Sequence, residues 1–301
     1  MKTIIVDLDS DLVYKSSLLL AFKVYLHHNA LFSLKVVGRK QDFNVISDIP
    51  NLTCIAVPEG KSTCEVALTE LAQSQTAGLL SFSNKALLLK KAQEILPKNI
   101  TPCYGLLFHS KKSDRESLLV DAGGVNERSL ENLAGSLSYG RDYLLNILDR
   151  MAPSIGLLGI EDALDPVSAA FDQQIREQDK KYRGLIDPED LFNGECDLIL
   201  AGGSDGAFAI KSAKGARSIN KDVEEREANK SLSSKFNSLL SFGSKKKTVD
   251  PTRDPRIDGK GYFLFGFGYN MISLNHDAGY NDFFVAIENI ENLDRRKPFH
   301  S

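Results

Sequence analysis

Two aspartates stand two residues apart directly behind an apolar run, Thr3-Ile4-Ile5-Val6-Asp7-Leu8-Asp9. Carboxylates so spaced at a strand end can both be aimed at one phosphate by the turn that follows, which suits phosphatase chemistry. The plainer alternative is a solvated strand end whose Asp11 caps the next helix. Glycine turns follow two other apolar runs, at Asp121-Ala122-Gly123-Gly124 and at Ala201-Gly202-Gly203-Ser204-Asp205-Gly206. A strand, a glycine turn and a helix present backbone N–H groups to an anion. Each also reads as a structural turn needing positive φ, and neither is a complete phosphate-loop signature. Of the histidines, His27, His28, His109 and His300 read as surface or capping residues, whereas His276 follows a strand and precedes Asp277-Ala278-Gly279. A histidine at a strand end is well placed for chemistry. No Cys/His cluster or HExxH spacing points to a metal. Cys54, Cys64, Cys103 and Cys196 lack CxxC spacing and read as reduced, mostly buried thiols of a cytosolic protein.

The elements that would position these groups alternate. Strands are expected at 3–7, 34–38, 53–57, 77–82, 104–108, 117–121, 155–160, 196–201 and 269–274. Helices are expected at 12–29, 62–74, 84–96, 129–149, 163–180 and 281–293. Ser62 with Glu65 has capping-box spacing. Asp187-Pro188 sets an N-cap before a first-turn proline and predicts a short helix through Phe192. Apolar strands alternating with helices predict βαβ units and a mainly parallel sheet. With 301 residues, 42% hydrophobic and 26% charged, the chain has ordinary globular composition and length enough for its own core. No apolar run reaches 18 residues, and Thr3 opens a strand at once with no signal-peptide layout, so a cytoplasmic protein is expected.

The net charge of −3 argues against a nucleic-acid partner, yet it is unevenly spread. Between Lys211 and Lys260 stand 13 Lys/Arg against 7 Asp/Glu, while the rest of the chain is net acidic. Within the segment 212–260, Leu232, Phe236, Leu239 and Leu240 fall on one helical stripe, with Lys245, Lys246 and Lys247 behind it. Such a stripe packs on the protein's own body or a second subunit, or rests on an anionic membrane.

Together these segments resemble the PlsX-type phosphate acyltransferases of bacterial phospholipid synthesis. Val6-Asp7-Leu8-Asp9-Ser10-Asp11 stands where that family has V-D-A-M-G-G-D. Gly60-Lys61-Ser62-Thr63 resembles its K-x-S-S segment, and Leu80-Ser81-Phe82-Ser83-Asn84-Lys85-Ala86 its V-S-A-G-N-T-G-A. Leu119-Val120-Asp121-Ala122-Gly123 is similar to L-L-D-V-G-A-N, and 155–160 to V-G-L-L-N-I-G. The run from Gly184 to Gly203 is similar to G-N-V-E-G-R-D-L-x-x-G-x-x-D-V-V-V-C-D-G, and Lys211 matches the lysine that follows it. Gly266-Phe267-Gly268 and His276 resemble the closing run.

The resemblance implies one α/β domain over 1–301, an αβα sandwich like isocitrate and isopropylmalate dehydrogenases, with 212–260 as a protruding basic insert. It implies a homodimer, cytoplasmic or peripheral on the inner membrane face, that converts acyl-carrier-protein thioester and inorganic phosphate to acyl phosphate. No cofactor, metal or covalent intermediate is implied. Lys61, Asn84, Lys211 and His276 would be catalytic. Ser62, Lys85, Asp7, Asp121, Gly123 and Gly203 would bind or orient phosphate. Several family positions differ here: Asp9 and Ser10 replace two glycines, Ser83 and Ala86 two more, and Asp187-Pro188-Glu189-Asp190 lacks an arginine. A carboxylate close to phosphate repels it by about 1–4 kcal/mol at effective dielectrics of 80 to 20. Two other readings therefore stand beside the enzyme. One is a homologue without catalysis that binds a carrier protein, membrane or regulatory partner. The other, from the Asp7/Asp9 pattern, is a phosphatase resembling the haloacid-dehalogenase family.

Overall fold

The structure is a computed structural model that describes residues 2–8, 12–29, 31–46, 48–97, 101–109, 116–124, 127–216 and 261–296. In chain order the elements are β1 (Lys2–Asp7), α1 (Lys15–His28), β2 (Phe32–Gly38), β3 (Leu52–Ala56), α2 (Thr63–Gln73), β4 (Gly78–Ser81) and α3 (Lys85–Ile95). Then come β5 (Cys103–His109), β6 (Glu116–Val120), α4 (Leu130–Leu148), β7 (Ile155–Leu158), α5 (Pro166–Gln178), β8 (Tyr182–Ile186), β9 (Leu198–Leu200) and α6 (205–216). β10 (Tyr262–Phe265), β11 (Met271–Ser273) and α7 (Tyr280–Arg295) complete the series.

Helix starts follow the capping chemistry of the sequence. Ser62 accepts from Glu65 N, Ser129 from Asn132 N, and Asp165 from Val167 N and Ser168 N ahead of Pro166. The expected helix after Asp187 is instead a pair of turns. Asp187 O accepts from Asp190 N, Asp190 O accepts from Asn193 N, and the Asp187 carboxylate accepts from Glu189 N. That side chain stabilises a local turn in competition with helix, and Gly194 at φ +78° leads the chain away.

One sheet has the order β3-β2-β1-β4-β11-β10-β5-β6-β9-β7-β8. All pairings are parallel except β11/β10, β10/β5 and β5/β6. Those three reversals make β1–β4, β5 and β11 run one way and β6–β10 the other. The expected mainly parallel sheet is therefore two parallel halves facing opposite directions. Loops after β1, β4 and β11 emerge at one edge, and loops after β6, β7 and β9 at the opposite edge.

Helices cover both faces. α1, α4, α5 and α7 pack Phe22, Tyr143, Phe171 and Phe283 against Val6, Leu34, Leu200 and Phe263. On the other face α2, α3 and α6 pack Leu68, Leu88 and Ile210 against Ile5, Leu79 and Leu264. Phe283 is fully buried, with its ring 5.0 Å from Phe22 and 5.9 Å from Tyr25. Phe283→Ala is expected to cost about 3–5 kcal/mol in urea denaturation, because the cavity lies between three packed helices and strands.

Residues 212–216 continue α6, so the basic segment does not begin as a separate unit at 212. Leu232, Phe236, Leu239, Leu240, Lys245, Lys246 and Lys247 lie outside the described residues, as do Asp9, Ser10 and Asp11. Among the described residues no helix is long and apolar enough to cross a membrane.

Candidate functional site

Three parallel strands end in a row of polar residues. Asp7 of β1 is in register with Ser81 of β4, and Ser81 with Ser273 of β11. All three are fully buried. Strand alternation places them two residues beyond Ile5, Leu79 and Met271, on the face covered by α2 and α3. Ser81 Oγ donates to the Asp7 carboxylate at 2.5 Å, and Ser83 N donates to Ser81 Oγ at 3.2 Å. Thr63, the first residue of α2, lies with its hydroxyl 3.4 Å from that of Ser83. The hydroxyl of Ser273 has no hydrogen-bond partner among the described residues.

The heads of α2 and α3 meet this row, each carrying a lysine. Lys61 is half exposed, with Nζ 3.4 Å from Glu65. Ser62 caps α2, and Asn84 is exposed and caps α3 by accepting from Ala86 N and Leu87 N. Lys85 is turned inward. Its Nζ lies 3.2 Å from the ring centroid of Tyr262 and 5.8 Å from that of Tyr104. Tyr262 is in turn in register with Ser273. Cys64 is buried at the α2 head; burial, then the Asp7 carboxylate working against hydrogen bonds from its neighbours, raises its pKa and keeps it a thiol at neutral pH. His276 is exposed in the turn after β11, where its carbonyl accepts from Val13 N at 3.1 Å.

A second cluster lies where β6 and β9 end. The Asp121 carboxylate accepts from Gly123 N at 2.8 Å, Gly124 N at 3.2 Å and Tyr104 N at 3.2 Å. The N–H groups expected to face an anion are thus turned onto the chain's own carboxylate. The start of α6 presses on this turn so closely that a Cβ on Gly206 would lie 2.0 Å from Asp121 O. Gly203 takes φ +56° in the turn before α6, and Lys211 is exposed further along that helix.

Arg128 spans the cluster. It donates to the carboxylates of Asp165 and Asp205 and to Gly202 O, so one guanidinium ties together the turns before α4, α5 and α6. Burial works against the charged form of Asp165, but hydrogen bonds from Ser168 and Arg128 outweigh it and hold the pKa low. Burial, and then the Asp165 charge acting against Arg128, raise that of Asp205. Asp121, Arg128, Ser129, Asn132, Ser136 and Gly202 line a pocket here with about 10 Å³ of open space, room for one water. Arg128 was not legible as a functional residue: its partners come from segments 37 and 77 residues away.

The structure therefore separates the sequence-derived set. Asp7, Lys61, Ser62, Asn84, Lys85 and His276 belong to the edge where β1, β4 and β11 end; Asp121, Gly123, Gly203 and Lys211 belong to the other half-sheet. β1 and β6 are five strand spacings apart in the sheet order, on the order of 24 Å. Asp7 and Asp121 cannot orient the same small anion.

A two-direction sheet covered by helices on both faces is an α/β sandwich. A branched-chain phosphotransacylase from Enterococcus faecalis V583 has this fold, with TM-score 0.58 and 13% identity over 97% of this chain and 99% of that one. The family model described as "Fatty acid synthesis protein" matches residues 41–300, and the chain belongs to that family, the PlsX type. It is similar to the phosphate acyltransferases of Halothermothrix orenii (26% identity, 68% of this chain and 58% of that one) and Rhodospirillum centenum (27% identity, 70% and 61%). The chain thus spans about three-fifths of the length of these relatives.

Proposed function

We propose that this protein transfers an acyl group from a thioester to inorganic phosphate. The observation that carries this reading is the meeting of the α2 and α3 heads at the Asp7–Ser81–Ser273 row, with the Lys85 ammonium on the face of Tyr262, the register partner of Ser273. Helix N-termini and an ammonium favour a dianion. Asp7 is held by Ser81, and in this reading it orients the hydroxyl row while Lys85 offsets its charge. A phosphate oxygen attacks the thioester carbonyl carbon, the carbon–sulfur bond breaks, and the thiolate leaves with a proton from solvent. The gain comes from fixing phosphate and carbonyl together and from stabilising the oxyanion. Lys61 and Asn84 lie at the rim of this site, with His276 in the turn beside it. Lys211 and the Asp121, Gly123 and Gly203 turns shape the opposite edge. Family membership and the phosphotransacylase fold both support the reading, and neither favours a phosphatase built on Asp7.

Acyl carrier protein as donor, phospholipid synthesis as the setting, a homodimer, and contact with an anionic membrane through 212–260 are parts of the same proposal. They are supported by the family and by the amphipathic, lysine-flanked sequence. A catalytically silent homologue is the second reading. It is favoured by Asp121 taking up the Gly123 and Gly124 N–H groups and by Arg128 being held by two carboxylates.

Thiol release from an acyl thioester, followed with and without inorganic phosphate, separates these readings. The enzyme reading expects release that depends on phosphate; release at the same rate without phosphate, or none, contradicts it. For the membrane contact, flotation with anionic vesicles at low salt should carry the protein upward, and charge reversal at 245–247 should weaken this, each lysine contributing about 1 kcal/mol. A charge-reversed protein that floats like the parent removes the lysines from the account.

A further inference from the structure

The sheet ends in two edge strands that differ in how they are protected. β8 is guarded: Arg183 is exposed on it, and its pairing with β7 shifts register beside Gly184, which takes φ +103°. A charge and a bulge both discourage an edge strand from pairing further. β3, Leu52-Thr53-Cys54-Ile55-Ala56, forms the other edge and carries neither. Its residues are uncharged, its register with β2 is unbroken from Leu34/Leu52 to Gly38/Ala56, and Thr53 and Ala56 are exposed.

The hydrogen bonds fix which groups of β3 face outward. Leu34 N donates to Asn51 O and Val57 N to Gly38 O, so the odd-numbered residues turn their backbone groups toward β2. The even-numbered ones, Leu52, Cys54 and Ala56, turn theirs away from the sheet. Leu52 N is taken up by Ile49 O. The outward N–H and C=O of Cys54 and Ala56 have no partner among the described residues. Cys54 is the central residue of β3, so these outward groups are disposed evenly about it.

We propose that β3 pairs antiparallel with β3 of a second copy of this chain, about a two-fold axis at Cys54. The two Cys54 residues exchange their backbone hydrogen bonds, and each Ala56 N donates to the Leu52 carbonyl opposite. A two-fold contact requires a surface complementary to itself, and an open strand edge meeting its own copy meets that requirement through the backbone. β3 has no charge to select a charged partner strand, whereas two identical uncharged strands meet without repulsion. The two sheets become continuous. Because the paired strands run in opposite directions, the candidate sites at the ends of β1, β4 and β11 open at opposite edges of the joined sheet.

The inference gives a place to the proposed homodimer and does not depend on the reaction, so neither of its tests uses turnover. A hydrogen-bonded antiparallel pair holds its Cα atoms about 5.5 Å apart, within the span of a disulfide. Cys64, Cys103 and Cys196 are buried and Cys54 is half-buried. Oxidation of the full chain with copper–phenanthroline should therefore give a covalent dimer that Cys54→Ser abolishes. Under reducing conditions, sedimentation velocity across a concentration series should show a reversible dimer. Ala56→Pro removes an outward N–H and spares the ladder to β2, so it should raise the dimer dissociation constant at least about 10-fold. Ala56→Val keeps the N–H and should dimerise like the wild type, and circular dichroism checks that both variants are folded. A wild type that stays monomeric throughout overturns the inference. So does a dimer that Ala56→Pro leaves intact and that oxidation does not link through Cys54; the homodimer would then stand with its interface elsewhere.

Discussion

Lys85→Ala is expected to lower thioester consumption by phosphate about 10²–10³-fold, the scale on which removal of one preorganised electrostatic group acts. Lys85 has the geometry for this effect and Lys61 does not. The Lys85 ammonium is held 3.2 Å from the Tyr262 ring centroid, over the buried end of the sheet. Lys61 points outward and spends its charge on Glu65. Lys61→Ala should therefore cost less than about 10-fold, and most of that through local helix electrostatics. Asn84→Ala removes the α3 cap, a loss of about 0.5–2 kcal/mol of helix stability, with any rate effect following from displacement of the α3 head. Parallel steady-state measurements on the three variants give the ranking. Equal losses in Lys61→Ala and Lys85→Ala would contradict the inward lysine as the phosphate ligand.

Arg128→Ala should destabilise the protein by about 1–3 kcal/mol at pH 7, because two carboxylates and a carbonyl lose their shared charged donor. Asp205 is 41% exposed, so solvent screening places the effect toward the lower end. Its pH dependence has a definite sign. In the wild type Asp165 has a lowered pKa, so it contributes stability above the unfolded value of 3.8 that is lost as pH falls through the folded one. Without Arg128 the two facing carboxylates repel, their pKa values rise, and the penalty grows as pH rises through them. The difference between wild type and variant should therefore be largest near neutrality and shrink toward pH 4. Adding Asp205→Asn to Arg128→Ala should recover part of the loss at pH 7. Urea unfolding at both pH values measures this; a loss independent of pH would mean that Arg128 acts through packing alone.

Most helices were legible because their signals are local. Ser62, Ser129 and Asp165-Pro166 carry the caps, and Leu18, Phe22, Tyr25 and Leu26 mark the buried stripe of α1. Strands β1, β4, β6 and β11 stood out as short apolar runs. Tyr262–Phe265 is such a run too, but four residues without alternation distinguish no strand from loop, and its partners β5 and β11 are set by the tertiary fold. β8 combines Arg183 with Gly184 at φ +103° on the sheet edge, where strand propensity is weak. The reversal of direction between the half-sheets depends on pairings that no local pattern encodes.

The site was legible by residue type more than by arrangement. Lys61, Ser62, Asn84 and Lys85 were marked by the resemblance of their segments to family motifs, and the structure gathers them at two neighbouring helix heads. The glycine turn after Asp121 suggested outward N–H groups, but an aspartate at the strand end can accept from its own turn, and Asp121 does so with Gly123 and Gly124. Nothing local in the sequence announces that Tyr104 spans from Asp121 to Lys85, or that Ser273 joins Ser81 and Asp7. Those neighbours are 17 to 19 residues apart in the first case and come from three separate strands in the second.

The central claim, that phosphate itself accepts the acyl group at the Lys85 site, is tested most directly by ³¹P NMR of the full chain with an acyl thioester and inorganic phosphate. An acyl phosphate resonance should grow at the expense of the inorganic phosphate signal in the wild type and be almost absent with Lys85→Ala. No new phosphorus resonance in the wild type while the thioester is consumed, or undiminished growth in Lys85→Ala, would contradict the account.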